Sequence, residues 1–413
     1  MLVRGKRLAL LLGLVLLLPL AAGTISATTS SGPAIHGLTM SSSAEDATVA
    51  WYIDGMFIGG YTGNASFGLY SASDIGLVDH GTIQIDGNAQ FLAQATGEGW
   101  PGSGTLSDPY LIKGYHILVP PNGTGIQISN VGLFFSIRDC LVEPLDPEAY
   151  YNPEAGFNIT SSKAVDITSV RTYAMGEGAL IVGTDGVSIT NCTLAQCGLV
   201  GMYVVGSRNV TLASCSFAGA AFGMALESTD NVILRANSFV GAEFAACNCV
   251  DAARTTFESN TCVGCALIFA AGVTADTLAI PENNTVNGDP IFFRRGVDFA
   301  WETVSGIYGF VYLYNCSNAV IKSLTMDGTT YCVNLEQCKS IFVEDCRLGA
   351  GKIPIAFRAS DGCSAINDTL ASDPFVGTGI LVQGAINCSV GQNLVYNCWR
   401  GVLLFAASDS GIR

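Results

Sequence analysis

The sequence predicts an all-β chain wound as a parallel solenoid, and three observations carry that prediction. The first is a repeat. Val187–Leu194, Val210–Phe217, Val232–Phe239 and Thr255–Cys262 are four versions of one phrase. Their marker positions Asn191, Ser214, Asn237 and Asn260 recur in steps of 23 residues, and a fixed period of this size marks stacked structural units. The second is alternation within the phrase. Val210 and Leu212 share one face, Cys215 and Phe217 turn back to the same interior after a bend, and Gly201–Val205 or Phe222–Leu226 closes the coil. The third is composition: 413 residues with 48 Gly, 49% hydrophobic and only 13% charged. A chain of this length usually implies several globular domains, but a solenoid can use it as one.

The elements follow in order. Residues 1–27 read as a signal peptide. Arg4, Lys6 and Arg7 precede the apolar run Leu8–Leu18, then Pro19, Ala21, Ala22 and Gly23 suit cleavage. An uncleaved signal anchor is the alternative, because the apolar run is nearly long enough to span a bilayer; no later segment is that apolar. Residues 28–43, rich in Ser, Thr and Gly, read as a flexible linker. Residues 44–98 form an N-terminal cap and first strand. Its aromatic stretch (Trp51, Tyr52, Phe57, Tyr61) has no clear period, Thr82–Asp86 alternates as a strand, and Gly87–Ala95 forms a short helix. With Phe91, Leu92 and Ala95 on one face, that helix would cover the open end of the stack.

Residues 99–265 form the first block of coils and 311–413 the second, separated by an irregular interruption at 266–310. Two phrases bear on the family. Gly102-Ser-Gly-Thr105 with Asp108-Pro-Tyr-Leu-Ile112 resembles the entry motif of archaeal secreted right-handed parallel β-helix proteins related to the NosD family. Asn284-Thr-Val-Asn-Gly-Asp-Pro-Ile-Phe-Phe293, followed by Val311–Ile321, resembles that family's break between two blocks of coils. The resemblance covers roughly residues 80 to 413. It implies a right-handed, single-stranded, pectin-lyase-like coil of about 22–23 residues per turn. It also implies two activities to test, sugar-polymer cleavage and copper delivery.

Counted by the marker, the coils fall near Asp139, Ser169, Asn191, Ser214, Asn237, Asn260, Ser323, Asp345, Asn367 and Gln392. Cys140, Cys192, Cys215 and Cys346 then share one slot, filled elsewhere by Ser238, Thr261, Leu324 and Asp368, which reads as a small-residue core ladder. Cys247-Asn-Cys249 aligns with the core positions Met224 and Leu226. One intervening residue also makes it a poor zinc half-site beside Cys262-Val-Gly-Cys265. Core is the reading for the cysteines, disulfides the alternative, and the odd total of 15 leaves at least one unpaired within the chain. The chain stops at Ser408–Arg413 within a further coil, which leaves an uncapped end suited to end-to-end association.

The formal charge of -15 disfavours nucleic acid as a partner. Cell-surface glycans or surface proteins suit it better, in an extracellular or cell-surface location. Candidate sites lie where the rhythm breaks. The insert Glu143–Gly156 holds Glu143, Asp146, Glu148 and Glu154 with Tyr150 and Tyr151. Those carboxylates would suit calcium, the one cofactor considered, and the rings would stack on sugars. The interruption holds Arg294, Arg295, Asp298, Trp301 and Glu302, followed by Tyr308, a mixture of charge and aromatics found on ligand surfaces. Of nine glycosylation sequons, Asn64, Asn122 and Asn283 lie in irregular segments and are the best acceptors, whereas Asn191 is expected to be hidden in an inward ladder.

No catalytic set is evident. The galacturonase-like phrases Asn-x-Asp, Asp-Asp, Gly-His-Gly and Arg-x-Lys are absent. Copper delivery wants clustered His, Met or thiolate, but His36, His80 and His116 are scattered and no metal set is assigned. The leading expectation is a non-catalytic structural or glycan-binding β-helix. A polysaccharide lyase or glycoside hydrolase is the alternative, and NosD-like copper maturation the second.

Overall fold

The computed structural model describes residues 48–53, 56–62, 76–146, 154–270 and 277–412. The chain forms two compact units, Met1–Ala65 and Ser66–Arg413. The first contributes an antiparallel hairpin, Thr48–Ile53 with Met56–Thr62, whose register shifts at Trp51/Tyr52. Residues 1–47, and with them the signal segment and linker, lie outside the described residues.

The second unit is a right-handed parallel β-helix of about 13 turns. Each regular coil lays down three strands, such as Val200–Val205, Arg208–Ala213 and Ser216–Ala218, and the next coil repeats them one layer on as Phe222–Glu227, Asp230–Arg235 and Ser238–Val240. Strands of like kind pair in parallel and build three faces. Val204 lies beside Leu226 and then Cys249 on the first face, Val210 beside Val232 and then Thr255 on the second, and Leu194 beside Phe217, Phe239 and Cys262 on the third. Alternation sends these side chains inward, where like stacks on like: the Phe217 and Phe239 rings are parallel within 8°, centroids 4.9 Å apart. The third and first faces meet so closely that Gly201 and Gly223 are obligatory. A Cβ on Gly201 would sit 2.5 Å from the Gly223 carbonyl oxygen and 2.7 Å from the Phe217 ring.

Helix α1 (Gly87–Glu98) covers the first coil. Phe91 and Ala95 are buried, and Phe91 packs within 5.6 Å of the Trp100, Tyr110 and Phe135 rings. Leu92, expected on the same face, is 43% exposed, because the next residue of a helix is rotated by about 100° and points it to solvent.

The corner between the second and third faces is one left-handed residue. Asp139, Ser169, Asn191, Ser214, Ala236, Ser259, Ser323, Asp345, Asn367 and Gln392 all take it, with φ from 49° to 59°. Asn and Asp tolerate this conformation best. The marker reading is therefore corrected in two coils. Ala236 and Ser259 make the corner, while Asn237 and Asn260 occupy the next, inward slot and are 1% and 0% exposed. Asn191, expected to be hidden, is the exposed corner residue. The cause is spacing. The step from Ser214 to the next corner is 22 residues rather than 23, so a residue of the same type falls one position later and faces the opposite way.

Asn237, Asn260 and Asn284 form the inward ladder. The Asn237 and Asn260 amides each donate to the next Oδ1 at 3.0 Å and to a carbonyl of the preceding coil, Leu212 and Leu234 respectively; Asn284 donates to the Phe257 carbonyl. Each Oδ1 also accepts the backbone N–H of the preceding coil's slot. Cys140, Cys192, Cys215, Leu324, Cys346, Asp368 and Asn393 continue this slot; Ser238 and Thr261 lie one position beyond it. All 15 cysteines are free thiols and 14 are buried. Burial pushes Cys140 up to about 11 and Cys197, Cys338 and Cys346 up to about 12, so these act as core residues rather than nucleophiles.

The interruption is a seam with strands of its own. On the first face, Ile268–Ala270 ends one sheet, and Asp289–Arg295 starts another by pairing with Phe310–Tyr314. Between them the chain reverses at Asn287-Gly288, with φ of 53° and 90°, so that Thr285 and Val286 pair antiparallel with Pro290 and Asp289. This is the Asn-Gly reversal favoured in two-residue hairpins. Contacts beyond the backbone ladder tie the blocks together. The Ala266 N–H donates to Thr330 Oγ1 (2.8 Å), the Asn287 amide to the carbonyls of Asp327 and Gly328 (3.0 Å each), and Lys352 pairs with the buried Glu243 (2.8 Å).

Two outcomes follow from the inward slot. Asn260→Leu leaves the Asn237 amide and backbone N–H without their acceptor. It is expected to cost about 2–4 kcal/mol in denaturant unfolding, against less than about 1 kcal/mol for the exposed corner change Asn191→Asp. The second concerns Asp368. Its Oδ1 accepts the Cys346 N–H at 2.8 Å, but Oδ2 is buried without a partner where the asparagines present a donating amide. A carboxylate cannot donate there; a carboxylic acid can. Burial, with the Asp345 and Glu344 carboxylates adding to it, raises Asp368 from 3.8 to about 7. The folded state thus binds a proton that the unfolded chain releases above about pH 4. The stabilisation is fully present below pH 4 and is lost as pH rises towards 7, at up to about 1.4 kcal/mol per pH unit. Asp368→Asn is expected to flatten the thermal midpoint across pH 4–7 and raise it at pH 7.

Candidate functional site

The seam opens a cleft of 440 Å³ lined by Phe292, Arg294, Asp298, Phe299, Glu302 and Tyr308, with Val297 and Val304 among the remaining wall residues. Its origin lies in the register of Asp289–Arg295. Phe292 aligns with Val311 and Arg294 with Leu313, both interior positions of the next coil, whereas Phe293 and Arg295 align with Tyr312 and Tyr314. An arginine can occupy an interior position only where the coil above is not stacked on it, and the seam supplies that gap.

Arg294 is held on three sides. Its Nη2 pairs with Glu282 Oε1 at 2.8 Å, its Nη1 donates to the Phe293 carbonyl at 2.8 Å, and its guanidinium lies 4.3 Å from the Phe292 ring centre. Phe292 also packs against Tyr308 (5.0 Å) and Phe299 (6.5 Å), so aromatic rings wall the cleft. Asp298 Oδ1 accepts the Ala300 N–H (2.9 Å) and the Asn318 amide (3.0 Å). These bonds, the Ala300 one foremost, hold its pKa below the usual carboxylate range. Ala300 and Trp301 are both left-handed, with φ of 50° and 69°. The second is unusual for so bulky a side chain and is fixed by the Trp301 N–H donating to the Asn318 carbonyl at 2.7 Å.

The expected residues therefore divide. Arg294, Asp298 and Glu302 converge on the cleft beside Tyr308. Trp301 lies outside the lining, 52% exposed, with its ring 5.4 Å from Phe342, and Arg295 donates instead to the Leu278 carbonyl. Sequence reasoning missed Phe292 and Phe299, and also Glu282, which lies before the reversal and meets Arg294 only through it.

The insert is placed differently. Glu148, Tyr150 and Tyr151 lie outside the described residues. Asp146 and Glu154 are exposed. Glu143 is committed to His116: Nδ1 of that imidazole faces Asp79 Oδ1 at 2.8 Å and Nε2 faces Glu143 Oε1 at 2.9 Å. A ring with an acceptor at each nitrogen is held as the imidazolium. Burial lowers the His116 pKa, but the bonds to Asp79 and Glu143 outweigh it and leave it raised. His80 likewise faces the Gly81 carbonyl and Glu98, and His36 is outside the described residues. Among the described residues no group of three or more His, Cys, Asp or Glu is arranged to hold a metal ion, and no helix is long and apolar enough to cross a membrane. Of the glycosylation candidates, Asn122 and Asn283 are exposed and Asn64 lies outside the described residues.

The first face carries a second polar feature. Tyr203 donates to Glu227, and Tyr312 donates to Glu336 at 2.8 Å, each pair one coil apart. Both pairs have the same separation of 24 residues, which is the signal by which the sequence could have shown them.

A family model described as the right handed beta helix region matches residues 155–298. Several solved structures are similar in fold. The catalytic unit of a thermostable GH87 α-1,3-glucanase from Streptomyces thermodiastaticus strain HF3-3 is 11% identical, covering 84% of this chain and 69% of that one, with a TM-score of 0.31. A tailspike protein double mutant of E. coli bacteriophage HK620, in complex with a pentasaccharide, is 12% identical over 81% and 72%, with a TM-score of 0.34. The Yersinia enterocolitica family 28 exopolygalacturonase is 10% identical over 89% and 83%, with a TM-score of 0.31. No curated protein matches the sequence.

The His116 pairing gives a testable pH dependence. With a raised folded pKa, its stabilisation is fully present below the unfolded value of about 6.5 and is lost as pH rises through the folded pKa. In thermal unfolding, His116→Gln is expected to remove the part of the slope that begins near the unfolded value of about 6.5 and lies above it.

Proposed function

We propose that this protein is an exported β-helix that binds saccharide at the seam cleft and acts at the cell surface or outside the cell. The observation that carries the reading is the cleft itself, with the Tyr308, Phe292 and Phe299 rings beside the carboxylates of Asp298 and Glu302. Sugars offer apolar ring faces and a rim of hydroxyls, so stacked aromatics with flanking carboxylates supply both kinds of contact. The signal-like segment at 1–27 supports export, and the archaeal NosD-like phrases support a secreted setting.

A second reading has its own observation. Two carboxylates in one cleft are the minimum for glycoside hydrolysis. Asp298 is held ionised, as a base or nucleophile must be, and Glu302 is the second carboxylate of the cleft. Copper delivery draws no support from His80 or His116, whose nitrogens are directed at oxygen acceptors.

The test is calorimetric binding to a panel of oligosaccharides. Tyr308→Ala is expected to weaken binding about tenfold with the fold intact by circular dichroism. Failure to bind any oligosaccharide, or binding indifferent to Tyr308→Ala, would sink the reading. Product release that is lost in Asp298→Asn would move it to the hydrolase.

A further inference from the structure

We infer that the seam cleft sorts saccharides by charge, taking amino-bearing sugars first, neutral sugars next and uronates last. The inference rests on the saccharide reading and adds the chemical class. Among the lining residues three carry charge, Arg294, Asp298 and Glu302. The positive one is already spent. Arg294 is paired with Glu282 at 2.8 Å, donates to the Phe293 carbonyl and lies against the Phe292 ring. Its charge is balanced before a ligand arrives.

The negative ones are not balanced. The partners of Asp298 are neutral donors, the Ala300 N–H, the Asn318 amide and the Ser317 side chain; they hold the carboxylate ionised without cancelling its charge. Glu302 forms no ion pair among the described residues. Its backbone N–H is tied to the Phe299 carbonyl, which fixes its place on the rim. The cleft therefore presents two uncompensated, solvent-exposed carboxylates beside aromatic rings. Their field is a surface field, strongest at low ionic strength and screened by salt. A uronate carboxylate entering this space meets repulsion and no free cation. A sugar ammonium meets attraction, and a neutral sugar meets hydroxyl acceptors only.

The observation separates this chain from a uronate-cleaving site, which must neutralise the substrate carboxylate with an unpaired arginine, lysine or metal ion. It also makes Glu282 a specificity residue that does not face the ligand, because it silences the one cation the cleft contains.

The test uses the full chain and hexasaccharides of glucosamine, glucose and glucuronate in the same linkage, by calorimetry at low ionic strength. The expected order is glucosamine, then glucose, then glucuronate, with about tenfold or more between first and last. High salt should compress the order. Glu302→Gln and Asp298→Asn, which keep shape and acceptors but remove charge, should each narrow the spread several-fold. Glu282→Gln, which frees Arg294, should raise glucuronate affinity while leaving glucose unchanged. Glucuronate binding as tightly as glucose, or an order that survives both charge-removing variants, would overturn the inference. The two readings fail differently: if no hexasaccharide binds, the saccharide site itself is wrong. If all three bind equally and Tyr308→Ala abolishes all three, the site stands and only its charge selection is wrong.

Discussion

The coil depends on one constraint: whatever sits in an inward slot must be satisfied by the layers directly above and below. A parallel stack leaves an inward group only the neighbouring side chain of its slot and the backbone carbonyls beside it. Apolar side chains meet the condition by lying on one another, as the Phe217 and Phe239 rings do. Polar groups meet it only when they both give and accept. The Asn237, Asn260 and Asn284 amides do so, a buried thiol does so weakly, and Asp368, whose Oδ2 has no partner, is driven by burial towards its protonated form. The preference for asparagine and cysteine beside the corner follows from the stack rather than from any chemistry they perform.

The same constraint explains where a ligand cleft can form. Inside a regular coil an arginine has no acceptable inward position, because the layers on either side close over it. Asn287-Gly288 reverses the chain before the next first-face strand starts, and the stack is interrupted there. Arg294 takes the vacated space, Glu282 neutralises it, and the aromatic residues that would otherwise have been core become walls. The cleft is thus a by-product of a fault in the layering, supported by contacts that bridge the fault, among them the buried Lys352–Glu243 pair.

What the sequence made legible was what repeats. The parallel solenoid, the three-strand coil and the inward place of Cys247 and Cys249 can be read from period and alternation, since both are local. The slip at Asn237 shows the limit. Asn191 and Asn237 look equivalent in the repeated phrase, yet a coil one residue shorter turns the first outward and the second inward. The site was legible as a place and partly as residues: Arg294, Asp298 and Glu302 converge, while Trp301 turns away on a left-handed backbone that no pattern announces. The Glu143–His116–Asp79 link joins groups from three successive coils, and such contacts have no signature within any one of them.

The reversal at Asn287-Gly288 also uncouples the two blocks in phase. Ahead of it the layers keep one register on the first face; behind it they restart from Asp289–Arg295 with another. In an unbroken coil a gained or lost residue must be absorbed within its own turn or it rotates everything that follows. Here the joint works like an expansion gap in a rail. Coils can be added, lost or re-spaced well away from it on either side without turning the cleft residues out of place, so the length of the rod and the identity of its cleft are free to change independently.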